Sequence, residues 1–352
     1  MPSLRDLRHR IEYLAACLMR TLIRLLPLDR AVGLAAFILR LAGRFSRRHR
    51  RALANLAVAF PEKSEAERRR IAIAMWENMG RVLAETMRMG EIAQEPHRFQ
   101  VVGGDRLGSE AGSIGPLVMV TLHMGNWELA VWPFTMSGGN PAGVYRPLPN
   151  PYVDRLLYQQ RSLLFRGGLF GKGKADQTGH RTARLITDFV RKGGWLGFVC
   201  DQVDRRGLPV PFFGRYAKVT PVPAMIARHV GARVWLVRCL RGAASSFTIE
   251  IKELKVPRTA DRAADVRMAM AAIFRQFEKW IREQPEQWMW WNTRWVEGLA
   301  PDLPAGQSHE QDQRIGVEAA KWAITLEGSS GRLQEGSLIG RPDRAADRRG
   351  PA

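Results

Sequence analysis

The segment Leu117-Val-Met-Val-Thr-Leu-His123-Met-Gly-Asn-Trp-Glu128-Leu-Ala sets the architecture of this chain. Leu117 to Leu122 are apolar or β-branched without a break, a run too short to cross a membrane and of the right length for a buried strand. Met124-Gly125-Asn126 supplies turn chemistry, and the pattern predicts a helix over 127–135 with Asn126 as its cap. A histidine leaving the tip of a buried strand therefore stands five positions before a carboxylate in the first helical turn. Both belong at the carboxyl end of a sheet, where open α/β folds bind their ligands. The spacing reads as a base, His123, with its orienting acid, Glu128; the plainer alternative is a histidine that merely finishes a strand.

Composition limits what this pair can belong to. A chain of 352 residues, 45% hydrophobic and 25% charged, can bury a large core and fits one catalytic domain with appendages. Against 34 Asp and Glu stand 54 Lys and Arg, a formal charge of +20. Such a surface attracts polyanions: nucleic acid, anionic lipid headgroups or an acidic carrier protein. Cys17, Cys200 and Cys239 lie far apart without a C-x-x-C spacing. Neither a disulfide framework nor a zinc site is indicated, and a reduced, cytoplasmic environment fits.

The N-terminus carries two basic amphipathic segments, roughly 4 to 26 and 29 to 45, with Arg on one side and Leu, Ile, Phe and Ala on the other. Arg20, Arg24, Asp29, Arg30 and Arg40 interrupt the apolar runs, so no stretch of eighteen apolar residues exists and neither a clean transmembrane helix nor a signal peptide is expected. Helices of this kind lie in a membrane interface or pack on their own domain. The cluster Arg44, Arg47, Arg48, Arg50, Arg51 favours anionic lipid. Residues 1–45 are accordingly read as membrane-associating, 46–95 as a helical lead-in opened by the Ser64/Glu67 capping box, 96–300 as an α/β core, and 301–352 as a mostly disordered tail. In the core, strands are expected at 117–123, 142–146, 195–201, 233–240 and 247–253, and further helices at 151–165, 181–192, 221–230 and 264–284. The alternation predicts a mostly parallel sheet covered by helices on both faces.

Two further segments aim polar groups at the same edge. Arg146 stands at a strand end in Val144-Tyr-Arg-Pro, and Arg161 lies on the helix that follows Asn150-Pro. Either can reach a carbonyl or phosphate oxygen above the sheet, although solvated arginines are the default in so basic a protein. Gly193-Gly-Trp-Leu-Gly-Phe-Val-Cys-Asp201-Gln is a second apolar strand ending in an acid and an amide; Asp201 either faces the same crevice or caps a loop. Pro211-Phe-Phe-Gly reads as a pocket wall or membrane-facing loop, and Thr220 as the cap of a helix with proline in its first turn. No second histidine or cysteine lies beside His123 at ligand spacing, which argues against a metal site.

Taken in order, His123-Met-Gly-Asn-Trp-Glu128, Val144-Tyr-Arg-Pro, Asn150-Pro, Asp201-Gln, Pro211-Phe-Phe-Gly, Thr220-Pro and Pro285-Glu-Gln-Trp-Met-Trp resemble the bacterial lipid A late acyltransferases, over roughly residues 8 to 298. His123 and Glu128 match the family's H-x4-D/E pair, Arg161 its arginine after the Asn-Pro turn and Asp201 its later acid. The sequence departs where the family usually carries His-Arg-Arg or His-Lys-Arg before the final tryptophan: here it is Asn292-Thr-Arg294. The resemblance implies transfer of a fatty acyl chain from acyl carrier protein to a hydroxyl of a lipid A precursor at the cytoplasmic face of the inner membrane. No cofactor, metal or nucleic acid is called for. His123 would be the general base and Glu128 its orienting partner. Arg161, and more weakly Arg146, would bind acceptor charge or the developing oxyanion, with Asp201 ordering that arginine or its loop. Two other readings stay open: the same chemistry on a phosphatidylinositol mannoside, an ornithine lipid or a glycerophosphate, and a non-enzymatic basic protein that binds membrane or nucleic acid.

Overall fold

Leu117–Thr121 is a strand at the middle of a seven-stranded sheet. The computed structural model describes residues 3–109, 111–171, 177–292 and 295; the 301–352 tail and Arg294 lie outside the described residues. In chain order the strands are β1 (Phe99–Val102), β2 (Leu117–Thr121), β3 (Pro141–Tyr145), β4 (Gly168–Gly171), β5 (Trp195–Val199), β6 (Val203–Phe212), β7 (Arg215–Val219), β8 (Arg233–Arg241) and β9 (Phe247–Leu254). The sheet runs β1-β9-β8-β2-β5-β3-β4, with β6 and β7 forming a separate antiparallel hairpin. From β8 to β4 the strands are parallel; β9 is antiparallel to β8, and β1 parallel to β9.

Side-chain alternation on β2 divides the core in two. Val118, Val120 and Leu122 pack in one apolar cluster with Met75, Ala224, Ile273 and Phe277. Leu117 and Met119 pack in another with Ile92, Leu129, Phe134 and Trp235. Burial of each Val, Leu, Ile, Phe or Met among them is worth roughly 1.5–3 kcal/mol. The helices are α1 (Leu4–Leu25), α2 (Leu28–Gly43), α3 (Arg47–Ala59), α4 (Glu65–Met87), α5 (Met89–Ala93), α6 (Asp105–Ser109), α7 (Trp132–Met136), α8 (Pro151–Ser162), α9 (Gln177–Arg191), α10 (Val222–Val230) and α11 (Arg262–Glu283). Those of the first cluster (α3, α4, α9, α10, α11) cover one face, and α5 and α7 cover the other. This is the α/β fold expected, a mostly parallel sheet with helices on both faces.

Local differences from the sequence reading have local causes. The helix expected over 127–135 is a 3-10 turn, Trp127–Leu129, followed by α7, because Pro133 has no N–H to continue a helix and instead sits in the first turn of a new one. Asn126 precedes the turn but makes no side-chain cap; its amide is drawn instead to Glu85. Pro221 rather than Thr220 stands before α10, again without a side-chain cap. The Ser64 capping box on α4 is formed, with both reciprocal hydrogen bonds present. Strand β6 contains Pro209 and Pro211, which argue against a central strand in the sequence but which a two-stranded hairpin with β7 tolerates.

The turn after β2 is pinned from behind. Gly125 adopts φ +57°, and a Cβ there would lie 1.8 Å from the Cys239 carbonyl oxygen on β8. Glycine is required both by the left-handed backbone and by the close approach. Gly125→Ala is expected to cost at least about 2 kcal/mol, measured as a fall in the urea midpoint; an unchanged midpoint would show that the turn can shift.

Candidate active site

Parallel pairing brings His123 to its acid. Thr121 of β2 is in register with Val199 of β5, and the Cys200 N–H donates to the Thr121 carbonyl just past the strand ends. His123 and Asp201 each lie two residues beyond that pair, on the same side of the sheet. The imidazole Nδ1 lies 2.6 Å from Asp201 Oδ1. Asp201 Oδ2 accepts the His123 backbone N–H at 3.1 Å and the Trp288 indole N–H at 2.8 Å. The Asp201 side chain is fully buried, whereas 14% of the His123 side chain remains exposed. A carboxylate can only accept, so beside it the ring proton belongs on Nδ1, which leaves Nε2 to present its lone pair. The Gln202 side-chain amide nitrogen lies 3.2 Å from that Nε2.

Glu128 meets a different partner from the one expected. The 3-10 turn carries its carboxylate toward α8, where Arg161 Nε and Nη2 donate to its two oxygens at 2.8 and 2.6 Å. Burial works against the charge on Arg161, but the Glu128 carboxylate outweighs it and holds the guanidinium pKa above its usual range. The acids thus pair otherwise than the sequence reading expected: Asp201, not Glu128, hydrogen-bonds the His123 ring, and Glu128 rather than Asp201 is the acid paired with Arg161. Arg146, exposed at the end of β3, is in no described hydrogen bond or ion pair.

A buried polar network fixes the turn that carries His123. Glu85 on α4 is fully buried and paired through both oxygens with Arg241 at the end of β8; the Arg241 Nη2 bond is 2.7 Å. The same carboxylate accepts from Asn126 Nδ2 at 2.7 Å and from Ser245 Oγ at 3.0 Å. Asn78 accepts from Arg241 Nε at 2.8 Å and donates to the Gly125 carbonyl at 3.1 Å. Removing one member of such a pair typically costs about 3–5 kcal/mol, because the other charge is left buried alone. Glu85, Asn78, Arg241 and Trp288 escaped the sequence reading. Their signal was faint, since only Trp288 fell within a recognised block, Pro285-Glu-Gln-Trp-Met-Trp.

The chain matches the model of the bacterial lipid A biosynthesis acyltransferase family over residues 1–297, and it belongs to that family. It is 28% identical to the lipid A biosynthesis lauroyltransferase of Escherichia coli K12 over 271 residues, 72% of this chain and 81% of that protein. It is 26% identical over 254 residues to the lipid A biosynthesis palmitoleoyltransferase of the same organism, and equally to the lipid A biosynthesis acyltransferase of Shigella flexneri; each match covers 70% of this chain and 78% of the relative.

The geometry fixes what an isosteric change at Asp201 does. In Asp201→Asn the carboxamide oxygen is claimed by the two N–H donors at the Oδ2 position, which turns the NH2 toward His123 Nδ1. The ring then moves its proton to Nε2, and 15N correlation spectra of the imidazole should show the tautomer reversed. An unchanged Nδ1–H tautomer would contradict the assignment of Asp201 as the group that sets it.

Proposed function

We propose that this acyltransferase moves a fatty acyl chain from an acyl carrier protein thioester to a hydroxyl of a lipid A precursor. Family membership supports the lipid A pathway, and the His123–Asp201 pair at an accessible sheet edge is the observation that carries the mechanism. A neutral alcohol is a weak nucleophile. His123 Nε2 removes its proton during attack on the thioester carbonyl, a contribution of about 10²–10⁴ in rate, or roughly 3–5 kcal/mol. Asp201 holds the productive tautomer and stabilises the imidazolium that forms. Glu128 fixes Arg161 as a planar cation for acceptor charge, with Arg146 as a looser phosphate contact.

The acceptor supplies the hydroxyl, so no acyl-enzyme and no cofactor enters the reaction as written. The buried cysteines are consistent with this: burial pushes the Cys200 thiol well up and the Cys239 thiol to about 12, and a thiol that stays protonated is a poor nucleophile. The N-terminal helices support a lipid substrate. Leu4, Leu7, Ile11, Leu14, Leu18, Leu22 and Leu25 form an exposed stripe on α1, while Leu34, Phe37, Ile38 and Leu41 do so on α2. Among the described residues no helix is long and apolar enough to cross a membrane. These stripes suit helices lying in the headgroup layer of the inner membrane at its cytoplasmic face, with exposed Arg44, Arg47, Arg48, Arg50 and Arg51 toward anionic lipid.

His123→Ala should abolish transfer from acyl carrier protein thioester to lipid A precursor in mixed vesicles, and Asp201→Asn should reduce it by about 10⁴. Near-normal turnover in either variant would remove the mechanism. Transfer by the wild type to another membrane lipid in preference to a lipid A precursor would keep the chemistry and overturn the acceptor. Replacing four or five of the clustered arginines by Gln should weaken binding to anionic vesicles, most visibly at low salt; unchanged binding would mean that those side chains serve another purpose.

A further inference from the structure

Acyl transfer builds negative charge on the thioester oxygen, and that charge needs a hydrogen-bond donor placed in advance. The first donors to consider are the backbone amides of the turn after β2, and four consecutive ones are already committed. The His123 N–H donates to Asp201, Met124 to the Leu122 carbonyl at 2.7 Å, Gly125 to the Gln287 carbonyl at 2.9 Å and Asn126 to the Cys239 carbonyl at 3.2 Å. Arg161 has spent Nε and Nη2 on Glu128. The backbone amides hold the scaffold in place, and the remaining donors of Arg161 are assigned above to acceptor charge.

Gln202 is differently placed. Its carboxamide touches the working nitrogen of the base, 3.2 Å from His123 Nε2. With the Nδ1 proton held by Asp201, the Nε2 lone pair can only accept, so Gln202 presents its NH2 rather than its oxygen. The seat it occupies is the one an attacking hydroxyl must take. The half-buried Gln202 can swing away from the ring without losing any other side-chain hydrogen bond described for it. Its backbone, next in the chain to Asp201, stays beside the base when the side chain is displaced.

We propose that Gln202 is a catalytic residue, the side-chain donor to the oxyanion, released from His123 Nε2 when the acceptor hydroxyl binds. The inference rests on the acyl-transfer reading given above. In the step, the hydroxyl oxygen bonds to the carbonyl carbon while its proton passes to Nε2. The carbonyl π pair moves onto oxygen, where the Gln202 N–H meets it. Collapse restores the carbonyl, breaks the C–S bond, and returns the proton from Nε2 to the departing sulfur. The exchange also explains why a neutral amide is suited to this position. A lysine or arginine would oppose formation of the imidazolium, and a carboxylate would repel the oxyanion.

The test measures thioester cleavage, read as release of free carrier thiol with either lipid A precursor or water as acceptor, so that it does not depend on which lipid is used. In full-length Gln202→Ala, kcat should fall about 10²–10³-fold, the loss typical of one oxyanion donor, with KM for the thioester changed by no more than a few-fold. The near-isosteric Gln202→Glu should lose at least as much, and both variants should melt within a few degrees of wild type. If Gln202 only covers a resting base, Gln202→Ala will match or exceed wild-type turnover, because the hydroxyl no longer has to displace it; that result, or wild-type kcat in Gln202→Glu, overturns the assignment. A wild-type protein that cleaves no acyl thioester overturns the acyl-transfer reading itself, and this role with it.

Discussion

The hydrogen bond between His123 Nδ1 and Asp201 organises this protein, and the parallel register of β2 and β5 makes it. Two strands adjacent in the sheet but 78 residues apart in the chain end level with one another, so the residues two positions past each end meet without a special loop. The acid is then enclosed. The His123 amide and the Trp288 indole take one carboxylate oxygen, and the imidazole takes the other. These donors take the place of the water that burial removes. In the proposed mechanism Asp201 held in this way keeps the ring proton on Nδ1, so that Nε2, on which the Gln202 amide rests, is the nitrogen that accepts.

A second layer of buried charge supports the first. Glu85 and Arg241 join α4 to β8 behind the turn, and through Asn126 and Asn78 they grip the backbone that carries His123. A buried ion pair seldom adds net stability over a well-packed apolar pair. Here it defines a position: the turn can neither roll nor slip without leaving a charge unpartnered. A parallel arrangement links the proposed lipid surface to Arg161, the proposed acceptor contact. Asn150 at the start of α8 donates to the His9 carbonyl and to Glu12 of α1, and Tyr152 donates to Asp6. Arg161 lies on the same helix, about 16 Å along it at 1.5 Å per residue. The helix bearing the exposed apolar stripe is thus tied directly to the helix that presents the cation.

Much of this was legible in the sequence, for a definite reason. Runs such as Leu117–Leu122 and Trp195–Cys200 are apolar on both faces, a pattern that only a buried strand in a two-sided α/β sheet explains; the five expected strands all formed. His123, Glu128, Arg161 and Asp201 were marked as candidates in the sequence, His123 and Glu128 by their place around a strand end and Arg161 and Asp201 mainly by the family resemblance. Their pairing was not. Which acid reaches the imidazole depends on β5 lying next to β2, and strand order is a property of the whole sheet that no local pattern encodes. The spacing of His123 and Glu128 suggested contact through the turn, but the 3-10 geometry imposed ahead of Pro133 sent the carboxylate to α8 instead. Glu85 and Arg241 were invisible for a related reason: in a chain with this many charges, an acid in the last turn of a helix and an arginine at a strand end look like solvated surface until the fold encloses them.

The central claim is that a lipid hydroxyl, deprotonated at His123 Nε2, attacks the thioester directly. A single-turnover quench experiment with radiolabelled acyl carrier protein thioester tests it most directly. The account predicts that label passes from carrier to lipid with none bound covalently to the protein at any time. Label that accumulates on the protein before acceptor is added, and leaves it at the rate of turnover, would contradict it.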